Sequence, residues 1–258
     1  MATKPTAKAD GQYEALQIEA LKRGRITLRL IGQTPFYFNA MSAKAKRDLL
    51  IGGGKKTAAE KVQIKHNPEQ EFRDSVYRLE AGPTLLGFPA PGVKGAMATA
   101  ALETNGLNKT TVNRLIFMPE QRIKVWGRPF LKMDVVRSAD MNKTPDVRTR
   151  AFLPEWCAEV DIAFITPRLS SHSIVSLLSN AGAIVGLGDF RQEKGRGSYG
   201  TFSVHSTEMD EDDAATWAHI TAQGRNEQIA ALDEPECADD ETRELMAILR
   251  QERMKRAA

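Results

Sequence analysis

The residues best suited to hold a ligand sit in one connection, Gly186 to Gly200, where Gly186, Gly188, Gly195, Gly197 and Gly200 surround Arg191, Lys194 and Arg196. Glycines allow positive φ and bring backbone amides close to a ligand, and three neighbouring cations suit phosphates. The same composition also suits a surface hairpin whose charges keep an edge soluble. The segment contains no G-x-x-x-x-G-K-[ST], and G-L-G-D-F-R departs from G-x-G-x-x-G, so nucleotide hydrolysis and dinucleotide binding lose most of their support. A second segment, G-F-P-A-P-G-V-K-G at 87–95, puts Lys94 and Gly95 at the expected start of a small-residue helix, where free amides attract anions. Its alanines equally suit a helix packed closely against a neighbour.

Other chemistries find less in the chain. Cys157 and Cys237 are too few for a disulfide scaffold, and His66, His172, His205 and His219 lack metal-ligand spacing, so no metal and no cofactor are expected. Asp134, Asp140 and Asp146 lie in a stretch where aspartate serves turns as readily as metals. No G-x-S-x-G elbow is present. Rings able to stack on bases are Phe36, Tyr37, Phe38, Trp126, Phe190 and Tyr199; Phe36 and Phe38 suit a core, whereas Trp126, beside Arg128, and Tyr199 lie among cations and glycines.

The charge along the chain points the same way. The total of 36 basic and 33 acidic residues, net +3, conceals 30 basic and 19 acidic residues over 1–204, net +11, and 6 basic and 14 acidic over 205–258, net −8. Such asymmetry points to a polyanion partner, although a basic face alone is more often just a solvated surface. An apolar content of 41% with 27% charged residues is that of a globular protein. No run approaches the roughly 18 apolar residues of a membrane span, and the start M-A-T-K-P-T-A-K-A-D is polar, so a cytoplasmic protein with no membrane partner is expected.

These groups must be positioned by a short list of elements. R-I-T-L-R-L-I-G from Arg25 alternates as a strand, with Ile26, Leu28 and Leu30 on one face, while residues 13–23 suit either a short helix or an extension of that strand. Ser42 caps a helix ending at the Gly52 to Gly54 triplet, and a helical or mixed segment surrounds Phe72, Val76 and Tyr77. Gly82 to Gly92 reads as extended, with a helix from Val93 to Glu103. R-I-K-V-W-G reads as a short strand, A-E-V-D-I-A-F-I-T as a strand burying Val160, Ile162 and Phe164, and Ser170 or Ser171 caps a helix ending at Gly182. A-I-V-G-L-G and the residues before Val204 are expected as two strands joined by the glycine-rich connection. This order gives an α+β fold, an antiparallel sheet with helices on one face on the ferredoxin-like split β-α-β plan. In the tail, Asp210 to Asp213 open a helix through Leu232, interrupted only by Gly224, and Asp240 to Lys255 form another with Leu245, Ile248 and Leu249 on one side. The chain thus divides into an arm (1–24), a body (25–204) with a basic insertion over about 104–150, and an acidic helical tail (205–258).

Pro91, Gly92, Lys94 and Gly95 before a small-residue helix, and Gly186, Gly188, Arg196, Gly197, Ser198, Tyr199 and Gly200 before a final strand, resemble the two motifs of the RAMP superfamily (repeat-associated mysterious proteins). The chain is most similar there to the RNA-binding backbone subunits of CRISPR effector complexes, over about residues 25–204. The loop D-F-R-Q-E-K is longer and more charged than the usual form, and the acidic tail is not general in the family, which suits a stand-alone or virus-borne side branch. The resemblance implies an RRM-like palm with a thumb-like insertion, here Arg114 to Arg150, assembly of copies side by side along single-stranded RNA, and other effector subunits as partners. It implies that Lys94, Arg191, Lys194 and Arg196 face phosphates. Some relatives cut RNA with an aspartate near the end of the first helix; Asp48 is the residue in that place, and it equally suits the solvent face of an amphipathic helix. The expectation is therefore a non-catalytic single-strand-binding protein, RNA preferred, with a metal-dependent endoribonuclease using Asp48 and a single-stranded-DNA annealing filament as alternatives.

Overall fold

A computed structural model describes residues 19–51, 66–104, 106–137, 145–194 and 197–257. In chain order it contains β1 Lys22–Gly32, β2 Phe36–Tyr37, α1 Ala43–Ile51, α2 Pro68–Asp74, β3 Tyr77–Arg78, β4 Leu86–Pro89, α3 Ala90–Ala100, α4 Lys109–Leu115, β5 Ile116–Phe117, β6 Arg122–Trp126, β7 Phe130–Arg137, β8 Pro145–Leu153, β9 Cys157–Thr166, α5 Ser171–Ile184, β10 Phe202–His205, α6 Glu211–Thr221, α7 Arg225–Asp233 and α8 Asp240–Ala257. The period-two pattern of β1 buries Leu28 and Leu30 and leaves Thr27 and Arg29 half-buried on the other face. Lys22 and Arg23 extend this strand; residues 13–18 lie outside the described residues.

β1 pairs antiparallel with β9 from Lys22 opposite Thr166 to Ile31 opposite Cys157, and β10 and β6 flank this pair, giving the order β10-β1-β9-β6. From β1 the chain reaches β6 by a path that runs through β2, β3, β4 and α3, and from β9 it reaches β10 through α5; each path passes over one strand, β9 or β1, that lies antiparallel between its ends. That is the ferredoxin-like plan. β4 and β3 extend the sheet beyond β6, and β5 pairs with β9 near Phe164. α3 and α5 pack together on one face, where Val93, Met97, Ile174 and Leu178 meet Leu28, Leu30, Val160 and Ile162, all buried. The α+β class and helix placement expected from the sequence hold.

Boundaries shift for local reasons. α3 begins at Ala90 rather than Val93, because Pro91 sits in the first turn, where a missing N–H costs nothing. Lys94 and Gly95 consequently lie in the second turn and not at the helix N-terminus. Ser170 caps α5 in a capping box with Ser173. α5 passes through Gly182 to Ile184; a Cβ on Gly182 would lie 2.2 Å from the Phe202 carbonyl oxygen, so this glycine serves helix-to-strand packing and not termination. The strand expected in A-I-V-G-L-G is absent, since α5 occupies its first residues and Gly186 and Gly188 take φ of 74° and 83°.

The basic stretch expected to leave the body as one insertion is divided. α4, β5 and β6 belong to the main sheet and its helical layer, and the hairpin β7–β8 builds a second sheet of order β2-β8-β7. Trp156, fully buried at the junction, packs on Phe36 at 5.0 Å and Phe202 at 6.2 Å and donates its indole N–H to the Thr34 carbonyl.

The acidic tail docks on the body. Asp210 caps α6, and Gly224 divides the expected long helix into α6 and α7. Gln228 of α7 is fully buried; its carbonyl accepts from the Leu85 and Leu86 N–H groups and from Thr84, and its amide donates to Val125 and Gly127. Residues 236–238 line the free edge of β7, with Leu131 N–H donating to the Glu236 carbonyl and Ala238 N–H to the Leu131 carbonyl. α8 buries Thr242 and Met246, while Ile248, expected on its apolar side, is exposed. Among the described residues no helix is long and apolar enough to cross a membrane.

Candidate nucleic-acid interface

One face of the small sheet gathers rings and cations. Every second residue of a strand shares a face, and the hairpin register sets Phe130 opposite Phe152, Lys132 opposite Arg150 and Asp134 opposite Arg148, with Tyr37 of β2 beside Phe152. The guanidinium of Arg128 lies 5.6 Å from the Phe130 ring, the Lys132 ammonium 5.8 Å from Phe152 and the Arg150 guanidinium 5.0 Å from Phe190. The glycine-rich connection folds over the Tyr37 end, where Phe190 and Tyr199 pack on Tyr37 at 5.2 and 5.1 Å. Tyr37 is fully buried; Phe130, Phe152, Phe190 and Tyr199 are half-buried and keep part of each ring toward solvent.

Two clefts adjoin this face. The first, about 650 Å³, has Arg128 and Phe130 on one side and His219 and Gln223 of the tail on the other. The second, about 570 Å³, is walled by Arg148, Thr149 and Arg150 of β8 and by His66 and Glu71.

The glycines of the connection serve the protein's own packing. Gly200, at φ 72°, donates to the Pro35 carbonyl and accepts from Leu187, and a Cβ there would lie 1.8 Å from the Leu187 carbonyl oxygen. The positive φ expected from the sequence is present at Gly186, Gly188 and Gly200, but the close neighbours are Leu187, Tyr37 and Tyr199.

Four cations in and around the face, though not Arg148, have a carboxylate partner among the described residues. Arg128 pairs with Glu236 at 2.6 Å, Lys132 donates to Asp239, Arg150 pairs with Asp189 at 2.9 Å and Arg191 with Glu193 at 2.9 Å. Two of these acids belong to the tail. Burial works against ionisation of Asp239, but hydrogen bonds from Lys132 and Thr242 outweigh it and hold its carboxyl at about 2. Burial pushes the Asp134 carboxyl up and the Tyr37 hydroxyl far above the usual phenol range, and the buried Asp134 Oδ2 has no hydrogen-bond partner among the described residues.

The residues singled out in the sequence separate into groups. Arg128, Arg191 and Tyr199 come together around the small sheet. Lys94 lies elsewhere, donating to the Asn113 carbonyl at 2.9 Å with its ammonium 5.9 Å from the Phe117 ring, and Gly95 is beside it on α3. Trp126 is not available for stacking: it is buried beneath Trp217, ring centres 5.6 Å apart, because α6 covers that corner of the main sheet. Phe36 and Phe38 are core residues. The side chain of Lys194, together with Gly195 and Arg196, lies outside the described residues, as does the side chain of Asp48 in α1. Among the described residues no group of three or more His, Cys, Asp or Glu side chains is placed to hold a metal ion. Sequence reasoning missed Phe130, Lys132, Arg150 and Phe152 as a set, although F-L-K-M-D and R-T-R-A-F carry the signal, ring and charge on alternate positions of two segments.

No family model matches the chain, and no curated protein matches it either. Among solved structures, the chain is similar to Cmr6 from Pyrococcus furiosus, with 9% identity and a TM-score of 0.36 over 71% of this chain and 98% of that one. A likeness of that degree carries no argument about function, and the ferredoxin-like assignment stands on the strand order itself.

Proposed function

We propose that the protein binds single-stranded nucleic acid, RNA in preference to DNA, and that the β7–β8 face with the glycine-rich connection holds the strand. The observation that carries this reading is the interleaving of half-buried Phe130, Phe152, Phe190 and Tyr199 with Arg128, Lys132 and Arg150. Sequence-independent strand binding requires bases stacked on rings and a cationic track for the backbone, and both are supplied by one surface. In this reading the role is that of a RAMP-like backbone subunit, assembling side by side with copies of itself and with other effector subunits in a CRISPR-like ribonucleoprotein. The RAMP-like motifs and the exposed Leu49, Leu50 and Ile51 at the end of α1 support such contacts. Titration of a labelled 30-nucleotide RNA, with DNA of the same sequence as competitor, tests the proposal: micromolar or tighter RNA binding with weaker competition by DNA is expected, and equal competition removes the sugar preference.

Glu236 and Asp239 occupy the cations that a phosphate backbone would use. The double variant Glu236→Gln/Asp239→Asn is expected to tighten RNA binding roughly tenfold at low salt, the loss of two partly exposed ion pairs being small for folding. Asn at 239 retains the N-cap of α8, so stability is a clean control. Unchanged affinity would show that these acids do not compete with phosphate.

A further inference from the structure

The second cleft contains two polar groups that folding leaves unmet. Arg150 is 7% exposed, and its Nη1 has no hydrogen-bond partner, while Nη2 is fixed on Asp189 at 2.9 Å. Thr149, 5% exposed, has an unpartnered hydroxyl. Both residues line the same cleft of about 570 Å³. Buried donors without partners are costly, and two on consecutive residues at one cleft call for an acceptor from outside the chain.

Strand geometry explains how consecutive residues, which point to opposite faces, meet one space. Ala151 turns its main chain away from β7, receiving the Phe38 N–H and donating to the Ser75 hydroxyl, while its opposite number Leu131 turns outward to Glu236 and Ala238. Antiparallel pairs alternate, so Thr149, two residues along, turns its N–H to that same edge of β8. β2 pairs only with Phe152 and Leu153, which leaves the β8 edge uncovered by strand at Thr149. The edge therefore offers the Thr149 amide and hydroxyl, with the Arg150 guanidinium beside them.

The unmet donors select the ligand, because the charges lining the cleft largely offset one another. Glu71 and Asp146 lie 3.1 and 3.3 Å from the two nitrogens of His66, and Asp189 is committed to Arg150. Arg148, exposed in the same wall, has no carboxylate within salt-bridge distance among the described residues. We infer that the β8 edge of this cleft is an oxyanion site that takes a phosphodiester of the bound strand, with Arg150 Nη1, the Thr149 hydroxyl and the Thr149 N–H as donors and Arg148 as the flanking charge. The inference rests on the function proposed above, and it places the path of the strand from the Phe130–Phe152 rings past Arg150 into the cleft.

Titration of a 30-nucleotide single-stranded RNA between 50 and 300 mM KCl tests it with Thr149→Val, Arg148→Gln and Arg150→Lys. Arg148→Gln is expected to lower the slope of log affinity against log salt by about one. Thr149→Val is expected to weaken binding roughly threefold to tenfold with an unchanged slope and a melting temperature no lower than that of the unaltered chain, because the hydroxyl it removes has no partner within the protein. Arg150→Lys keeps the charge, loses the fork and weakens binding roughly tenfold; should it fail to fold, the other two variants decide. Salt-dependent binding by the unaltered chain with identical behaviour of Thr149→Val and Arg148→Gln would overturn the site alone. Absence of binding by the unaltered chain would overturn the proposed function and this site with it.

Discussion

Gln228→Ala is expected to lower the stability of the whole chain by about 3–5 kcal/mol, read as a fall in melting temperature of roughly 10 °C. The side chain is fully buried and joins α7 to β4 and β6 through five hydrogen bonds, two of them to the backbone N–H groups of Leu85 and Leu86. Alanine leaves those donors, the Thr84 hydroxyl and the carbonyls of Val125 and Gly127 competing for fewer partners inside the protein. Each group left unmet costs about 1–3 kcal/mol, with Thr84 partly rescued by its bond to Val125. Differential scanning fluorimetry of Gln228→Ala and Gln228→Glu checks this, since Glu keeps the acceptor and loses the donors. A shift under 2 °C for both would mean that the tail is only loosely applied. The same stitching sharpens the role of the net −8 tail. Deletion after Val204 would remove Gln228, the edge cover of β7 and the Trp217 lid on Trp126, so misfolding is expected, not tighter binding. In the proposed reading, the tail residues that compete with nucleic acid are Glu236 and Asp239.

Phe130→Ala/Phe152→Ala is expected to weaken binding of single-stranded RNA by a factor of roughly 100 or more, while leaving the salt slope as it is. Stacking of one base on one ring is worth about 1–3 kcal/mol, and neither ring carries charge. Both rings are half-buried on the surface of the small sheet, outside the fully buried set around Trp156, so the fold tolerates the change better than it would at Phe36 or Phe38. Fluorescence anisotropy at two salt concentrations separates the outcomes. A lost slope with retained affinity would assign the rings to packing against Arg128 and Lys132 only.

Much of the core was legible in the sequence because its signals are local. Alternation in β1 and β9 gave their buried faces, and the pair Ser170 and Ser171 gave the start of α5, with Ser170 the residue that caps it. The A-I-V-G-L-G segment misled because a short apolar run fits a helix end as well as a strand, and only the packing of Gly182 on Phe202 decides. The candidate interface was half legible. Arg128, Arg191 and Tyr199 stand out beside glycines and other cations, whereas Phe130 and Phe152 become neighbours only through the hairpin register. Trp126 misled for a reason no local pattern holds, since the ring that covers it is Trp217. The partners of Arg128 and Lys132 are more than a hundred residues away, so the sequence shows the charges without their neutralisation.

The most direct test is the salt dependence of affinity for a 30-nucleotide single-stranded RNA, measured for the unaltered chain and for Arg128→Gln/Lys132→Gln. Log affinity should fall linearly with log salt, and the double variant should bind more weakly with a slope smaller by about two, one for each phosphate that the protein no longer neutralises. An identical slope in the two proteins, or affinity for the unaltered chain that does not change between 50 and 500 mM salt, would contradict the β7–β8 face as the site of the strand.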